Sequence, residues 1–231
     1  MSKLWLAQLI VWNIGQGQWV TEVHPQACLH YDLGGEKNIT EKVEKLCRNR
    51  PNYLFLSHWD WDHISFAAPY AARVRTSCLV KLPAGTASPH KRRFIEKIPL
   101  CRPEQLRQLS SRVKVIYEAF PKPRRTSNEL SRVIYSRGFR VLIPGDSPSN
   151  QEKTWSSEAP AFTAGLILGH HGSRTSTGLK LLDSLKNLRW AVSSARQRKY
   201  GHPHREVIER LEKVKVPLLK TEDWGHLHFG I

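Results

Sequence analysis

Short apolar runs alternate with polar ones along most of this chain, and runs that read as strands are separated by runs with helical spacing. Leu4–Trp12 and Trp19–Val23 read as strands flanking the turn GQGQ, and Leu29–Leu33 as a third strand that runs into the glycine turn of DLGG. Asn38 stands where it would cap a helix carrying Ile39, Val43 and Leu46 on one face. Tyr53–Ser57 is a short apolar strand, with a helix expected through Ile64–Arg73. Val113–Phe120, Ser131–Ser136 and Phe139–Asp146 read as three more strands, the last two joined as a hairpin at Arg137–Gly138. Ala164–His171 and Arg189–Ala195 read as strands around a helical segment. Arg205–Val214 reads as an amphipathic helix, with Val207, Ile208, Leu211 and Val214 on one face. LLKT and HLHFG close the chain. Pro83–Arg93 and Ser147–Pro160 are polar, irregular and expected to be surface loops. With no dividing linker and no fixed-period repeat, the 231 residues are expected to form one domain, 1–231.

Composition adds three expectations. Hydrophobic residues make up 40% of the chain, enough for a sizeable core, and no apolar run is long enough for a membrane span. The apolar start Leu4–Trp12 lacks a small-residue cleavage site and leads straight into a turn, as a first strand would, so a cytoplasmic protein is expected. Cys28, Cys47, Cys78 and Cys101 form no CxxC pair, which argues against a zinc ribbon or redox motif and leaves buried, reduced thiols as the expectation. The formal charge is +16, and it is clustered: residues 91–140 hold 14 Lys/Arg against 4 Glu, a net of +10. A field of that sign attracts polyanions, so a nucleic-acid or phosphorylated partner is expected.

The chemistry concentrates where apolar strands end. Asp32 follows one strand, SHWDWDH (Ser57–His63) a second, Asp146 a third, and His170–His171 a fourth. Strand ends of α/β layers are where sites assemble. Crowded carboxylates and imidazoles need compensating charge, and a pair of divalent cations would supply it. His58 and Asp60 would grip one ion, Asp62 and His63 a second, and Asp146 would bridge them. Trp59 and Trp61 would wall the site, or one of them would stack on a base.

SHWDWDH resembles the HxHxDH-type motif of the metallo-β-lactamase superfamily, with Asp60 in place of the usual second histidine. With NIGQGQ, YDLGG, IPGD, GHHGSRTS and YGHPHREVIERL, the chain from about Leu4 to Phe229 is similar to the nuclease domain of ComEC-type DNA-uptake proteins, without a membrane channel. The resemblance implies an α/β fold, the αββα four-layer sandwich. It implies metal ligands at His58, Asp60, Asp62, His63 and Asp146, completed by His170 or His171, with His170 ranked first as nearer the strand end. Asp32 would orient the ligand loop by accepting backbone hydrogen bonds. His202, alongside His204 in GHPH, would protonate a leaving oxygen or hold a phosphate, Ser173 would bond the same group, and Asp62 would serve the chemistry as well as a metal. Arg174, Arg196, Arg198 and Lys199 flank these elements as phosphate contacts, with Arg92, Arg93, Arg124 and Arg125 in the basic segment. The chain departs from the pattern at Gln18, which replaces an acid, and at Ser65–Phe66, which replaces two glycines; Asn128 and Ser131 match only loosely.

The function implied is metal-dependent hydrolysis of a phosphodiester, most readily in DNA, by a hydroxide activated between two Mn²⁺ or Zn²⁺ ions. The alternatives are a same-fold hydrolase of another phosphoester or lipid headgroup, and a nucleic-acid or partner-binding module with incidental metal.

Overall fold

The computed structural model describes residues 7–120 and 125–231. Its strands are β1 (Gln8–Val11), β2 (Trp19–His24), β3 (Ala27–Leu33), β4 (Asn52–Phe55), β5 (Ser77–Lys81), β6 (Val113–Tyr117), β7 (Val133–Ser136), β8 (Val141–Ile143), β9 (Gly165–Ile167), β10 (Trp190–Ser193), β11 (Leu218–Lys220) and β12 (Leu227–Gly230). Two six-stranded sheets result, ordered β12-β1-β2-β3-β4-β5 and β11-β10-β9-β8-β7-β6. Within them β3, β4 and β5 run parallel, as do β8, β9, β10 and β11.

The alternation along β3 shows why two sheets form. Ala27, Leu29 and Tyr31 point into the core between the sheets, where they meet Ile134, Val141, Ile143, Ile167 and Val192 of the second sheet. Cys28 and Leu33 face outward, under helices α1 (Thr40–Cys47), α2 (Trp61–Ile64), α3 (Ala67–Arg73) and α4 (Pro89–Ile95). The helix α5 (Pro103–Leu109) follows in the first half of the chain. The second sheet is covered on its outer face by α6 (Ser149–Trp155), α7 (Leu179–Ser184) and α9 (Arg205–Lys213), through Trp155, Leu181, Leu182, Val207 and Leu211. The short helices α8 (Gln197–Tyr200) and α10 (Thr221–Trp224) fill the connections around α9 and β11. Both sheets are thus buried on two faces, the αββα order expected, and their strands read as nearly continuous apolar runs.

Several local expectations are corrected. Both supposed loops hold helices: α4 starts inside Pro83–Arg93, capped by Ser88 with Pro89 in its first turn, and α6 occupies Ser149–Trp155. Trp155 is fully buried and anchors α6, a single apolar residue that gave no periodic signal. The helix expected through Ile64–Arg73 is interrupted after Ile64 and resumes at Ala67. Ile39, not Asn38, is the N-cap of α1, although the Asn38 carboxamide oxygen accepts from the Thr40 N–H; Leu46 is exposed. The first strand is described from Gln8, and Leu4 lies outside the described residues.

The cysteines are also corrected. They are buried as expected but not reduced: Cys28 is bonded to Cys47 and Cys78 to Cys101, with none free. Packing of α1 on the outer face of β3 brings Cys47 over Cys28, and the backbone of Leu79 pairs with Pro99 and Cys101, drawing Cys101 to β5. No helix among the described residues is long and apolar enough to cross a membrane.

Each bridge closes a loop of moderate length, with sequence separations of 19 and 23, which corresponds to about 3 kcal/mol of stabilisation. Replacing either pair by serine is expected to lower the denaturation midpoint measurably by circular dichroism. An unchanged midpoint together with four titratable thiols in the wild-type chain would show that the bridges do not form.

Candidate metal centre

One buried carboxylate arranges the ligand loop. Asp32 ends β3 with a positive φ of 55°, a backbone state that turns its side chain towards the end of β4. Its Oδ1 accepts the Ser57 backbone N–H at 2.7 Å, and its Oδ2 the Ser57 hydroxyl at 2.7 Å. Oδ2 also meets His63 Nδ1 at 2.8 Å and accepts from Gln18 Nε2 at 2.8 Å. Gln18 is thus a neutral donor to Asp32, which explains how the missing acid at this position is tolerated.

These bonds set the imidazole tautomers. Asp32 is an acceptor, so His63 donates from Nδ1 and turns Nε2 towards the centre, where a cation would take its lone pair. The Ser57 hydroxyl spends its proton on Asp32, so it accepts from His58 Nδ1 at 2.9 Å, which leaves His58 Nε2 bare. Both Nε2 atoms face Asp146, which follows β8: His63 Nε2 is 3.0 Å from its Oδ1, and His58 Nε2 is 3.7 Å from its Oδ2.

Further donors converge from both sheets. Asp60 Oδ2 lies 3.5 Å from His58 Nε2. His171 Nε2 lies 3.2 Å from Asp62 Oδ2, 3.2 Å from His63 Nε2 and 3.8 Å from Asp146 Oδ1. Two groups of donors compact enough for an ion emerge: His58, His63 and Asp146, and Asp62, His63 and His171. Of the paired histidines, ranked with His170 first, it is His171 that falls within a compact donor group. Both sit in a left-handed turn after β9 rather than on a strand, and the turn buries His171 within the cluster while His170 stays partly exposed, 3.6 Å from Asp146 Oδ2.

The residues fit divalent cations. His58 Nε2 and Asp146 Oδ1 are buried and make no hydrogen bond, a costly state that a cation would relieve. Charge points the same way. Burial works against ionising Asp146 and the His63 imidazole, yet the mutual attraction of Asp146 with His63, His171 and His58 holds the carboxyl well below its ordinary range. Asp146 and Asp32 likewise raise His63 well above the ordinary histidine value. The three carboxylates Asp60, Asp62 and Asp146 therefore require positive charge among them, from protons on imidazole or from metal.

The other expected site residues surround this cluster unevenly. His202 lies beside His170, ring centres 5.9 Å apart, with Gln16 Nε2 3.5 Å from its Nδ1; burial lowers its proton affinity. His204 is the N-cap of α9, accepting from Glu206 N. The Ser173 hydroxyl is turned to Thr175. Arg174 and Arg198 are exposed. Arg196 and Lys199 are instead engaged by Glu36, at 3.1 and 2.7 Å. Arg92 lies over the Trp59 ring at 5.7 Å and Arg93 is exposed in α4, whose Lys91 reaches to 3.6 Å from Asp60. Arg125 reaches the Phe120 carbonyl, and Arg124 lies outside the described residues. Of the tryptophans, Trp59 is buried as a wall and Trp61 is 38% exposed.

Some supporting residues gave no type signal in the sequence. Asn128 Nδ2 approaches His170 at 3.4 Å, and Ser131 Oγ accepts from Asp146 N at 3.1 Å, so the two loosely matched positions do border the centre. Gly34 and Gly17 pack directly on the backbone of Asp62 and His63; a Cβ at Gly34 would come within 2.5 Å of Asp62 C and His63 N. Glu152 accepts from the Thr177 and Gly178 amides and Arg210 donates to the Arg174 and Ser176 carbonyls, so both hold the loop after His171. Burial pushes the Glu152 carboxyl up to about 7.

No family model matches the chain. ComE operon protein 3 of Bacillus subtilis is 26% identical over 76% of the chain, and Competence protein ComA of Neisseria gonorrhoeae is 27% identical over 97%. Recombination protein 2 of Haemophilus influenzae is 35% identical over 38%. The chain spans only 24%, 32% and 11% of the lengths of these relatives. The metallo-β-lactamase fold protein YhfI of Bacillus subtilis superposes with a TM-score of 0.55 at 10% identity, covering 96% of this chain and 100% of that one.

Two outcomes follow from the geometry. Elemental analysis after loading with Mn²⁺ or Zn²⁺ is expected to find about two ions per chain, and Asp146→Ala, which removes the carboxylate facing both groups, to hold at least one fewer. Gly34→Ala should cost about 1–3 kcal/mol of stability and weaken metal retention, because the added methyl displaces Asp62 and His63; wild-type retention in a folded Gly34→Ala chain would contradict that contact.

Proposed function

We propose that this chain, whose architecture is the metallo-β-lactamase fold, is a metal-dependent phosphodiesterase acting on DNA. The observation that carries the reading is the pair of bare, buried ligand atoms, His58 Nε2 and Asp146 Oδ1, at the meeting point of donors from both sheets. Bound there, two divalent cations would supply Lewis-acid charge and an activated water. His58, Asp60, Asp62, His63, Asp146 and His171 would hold them, with His170 at the margin. Three carboxylates make this a harder donor set than a histidine-rich zinc site, which favours Mn²⁺ over Zn²⁺.

The chain's own residues divide the remaining work. Asp32 fixes the loop and both tautomers before any substrate arrives. His202, neutral because burial and the neighbouring histidines oppose its charging, would donate an N–H to a phosphoryl or leaving oxygen, with Gln16 beside its other nitrogen. Ser173 would reach the same group by rotating away from Thr175. Arg174, Arg198, Arg92 and Arg93 would meet phosphates outside the centre, and Arg196 and Lys199 would do so on release from Glu36.

DNA as the polyanion is supported by the clustered charge and by relatives named for competence and recombination. Part of that charge is internal: Arg132 is buried against Glu118 and the carbonyls of Leu56 and Leu82. The two disulfides fit an oxidising compartment and weigh against the cytoplasmic expectation.

Asp62→Asn tests the chemistry separately from binding. It preserves size and removes a charge that faces His171, so cleavage of plasmid DNA with Mn²⁺ is expected to fall by about 10²-fold or more. DNA affinity at moderate salt should change little, and should weaken steeply as salt rises. Full cleavage by a folded Asp62→Asn chain would sink the mechanism. Binding without turnover by the metal-loaded wild type would leave a binding module, and turnover of simple phosphoesters but not DNA would move the substrate class.

A further inference from the structure

Beside the metal cluster, on the outer side of Asp62, lies a second concavity of about 360 Å³. It is lined by Gln16, Gly35, Glu36, Trp61, Asp62, Ser65 and Tyr200. Asp62 therefore borders both spaces, its Oδ2 3.2 Å from His171 on the inner side. Trp61 and Tyr200 are large aromatic side chains left 38% and 42% exposed. Packing gives Trp61 a fixed position: its ring meets Phe94 at 5.3 Å and His90 at 5.5 Å, both in α4. Tyr200 is fixed from its far end, where the hydroxyl donates to Glu36 Oε1 at 2.8 Å. Glu36 is itself held ionised, to about 2, by Lys199, Tyr200, Gln16 and Arg196, against the cost of its partial burial. A cation stands over each ring, Lys91 Nζ 5.8 Å from the Trp61 centroid and Lys199 Nζ 4.8 Å from that of Tyr200, so each ring already holds a positive charge that a stacked nucleotide would displace towards its phosphate. The same concavity is lined by groups able to read a base edge, the Gln16 carboxamide and the Ser65 hydroxyl. The latter accepts from Gly35 N, so its own proton remains available.

Exposed aromatic rings held in place by their neighbours form a stacking platform for the planar faces of nucleobases, with the lysine cations over them near enough to meet phosphate. We propose that this pocket is a nucleobase slot, and that the chain acts on unpaired, single-stranded DNA, with the base next to the scissile phosphate held against Trp61 and Tyr200. A base inside a duplex cannot present its face to a side wall without leaving the stack, so the slot selects against paired strands. The inference rests on the phosphodiesterase reading, and it adds the strand state of the substrate and the residues that choose it.

The test uses the full chain, with and without Mn²⁺, and a phosphorothioate oligonucleotide carrying 2-aminopurine, single-stranded or annealed to its complement. Stacking in the slot should quench the probe on the single strand, and the single strand should bind at least about fivefold more tightly than the duplex. Trp61→Ala and Tyr200→Leu should each abolish most of the quench and bring the two affinities close to equal. Tyr200 is at the surface, so its variant decides the matter if Trp61→Ala fails to fold. Equal affinity for both forms in the wild type, or a quench that survives both substitutions, overturns the slot. Hydrolysis of bis(p-nitrophenyl) phosphate by the metal-loaded wild type, which needs no nucleobase, separates the two readings. Turnover without a quench rejects the slot alone. A quench without turnover keeps the slot as a single-strand binding site and rejects the hydrolase.

Discussion

The Asp32 carboxylate is the contact on which the centre depends. It binds Ser57 through backbone and hydroxyl, His63 through Nδ1, and Gln18 through its carboxamide. Each bond has a consequence one residue further on: Ser57 fixes His58, His63 presents Nε2, and Gln18 keeps Asp32 in place. Gln18 N also donates to Asp62 O, and Gly34 N to Gln18 O, so the turns after β1 and β3 and the helix α2 form one hydrogen-bonded unit. A buried, unpaired carboxylate would be costly, and this one is solvated by the protein instead of by water.

Much of this was legible in the sequence, for a physical reason. Candidate ligands and their supports are short polar residues just after strands, so Asp32, His58, Asp60, Asp62, His63 and Asp146 stand out against apolar neighbours. The strands around them are buried on both faces and show as continuous apolar runs. Legibility failed where spatial rather than sequential neighbours decide. The choice between His170 and His171 is made by a left-handed turn that no residue type announces. Glu152, Arg210 and Glu36 act on segments far away in sequence. The helix α6 is tied down by one tryptophan, and α4 by a capping serine inside a polar stretch. The cysteines were misread because pairing depends on α1 crossing β3, and spacing alone does not reveal that.

Basic residues carry a related lesson. Counting charges placed the strongest field in residues 91–140, but position decides what a charge does. Arg132 serves the interior, joining the ends of β4 and β5. Arg196 and Lys199, which flank a sequence motif, are exposed but paired with a carboxylate. Glu36 occupies these cations much as a phosphate would, so a polyanion arriving there must compete with a resident carboxylate, which discriminates against weakly charged ligands.

The two cross-links share one further property: both lie within residues 28–101, in and around the first sheet, and none joins the second. The candidate metal ligands are divided along the same line. His58, Asp60, Asp62 and His63 belong to the stapled half, while Asp146 and His171 come from the half without covalent restraint. An ion held by both sets is therefore a clasp between a stiff jaw and a compliant one. Its retention would register any loosening of the sandwich long before the stapled half came apart.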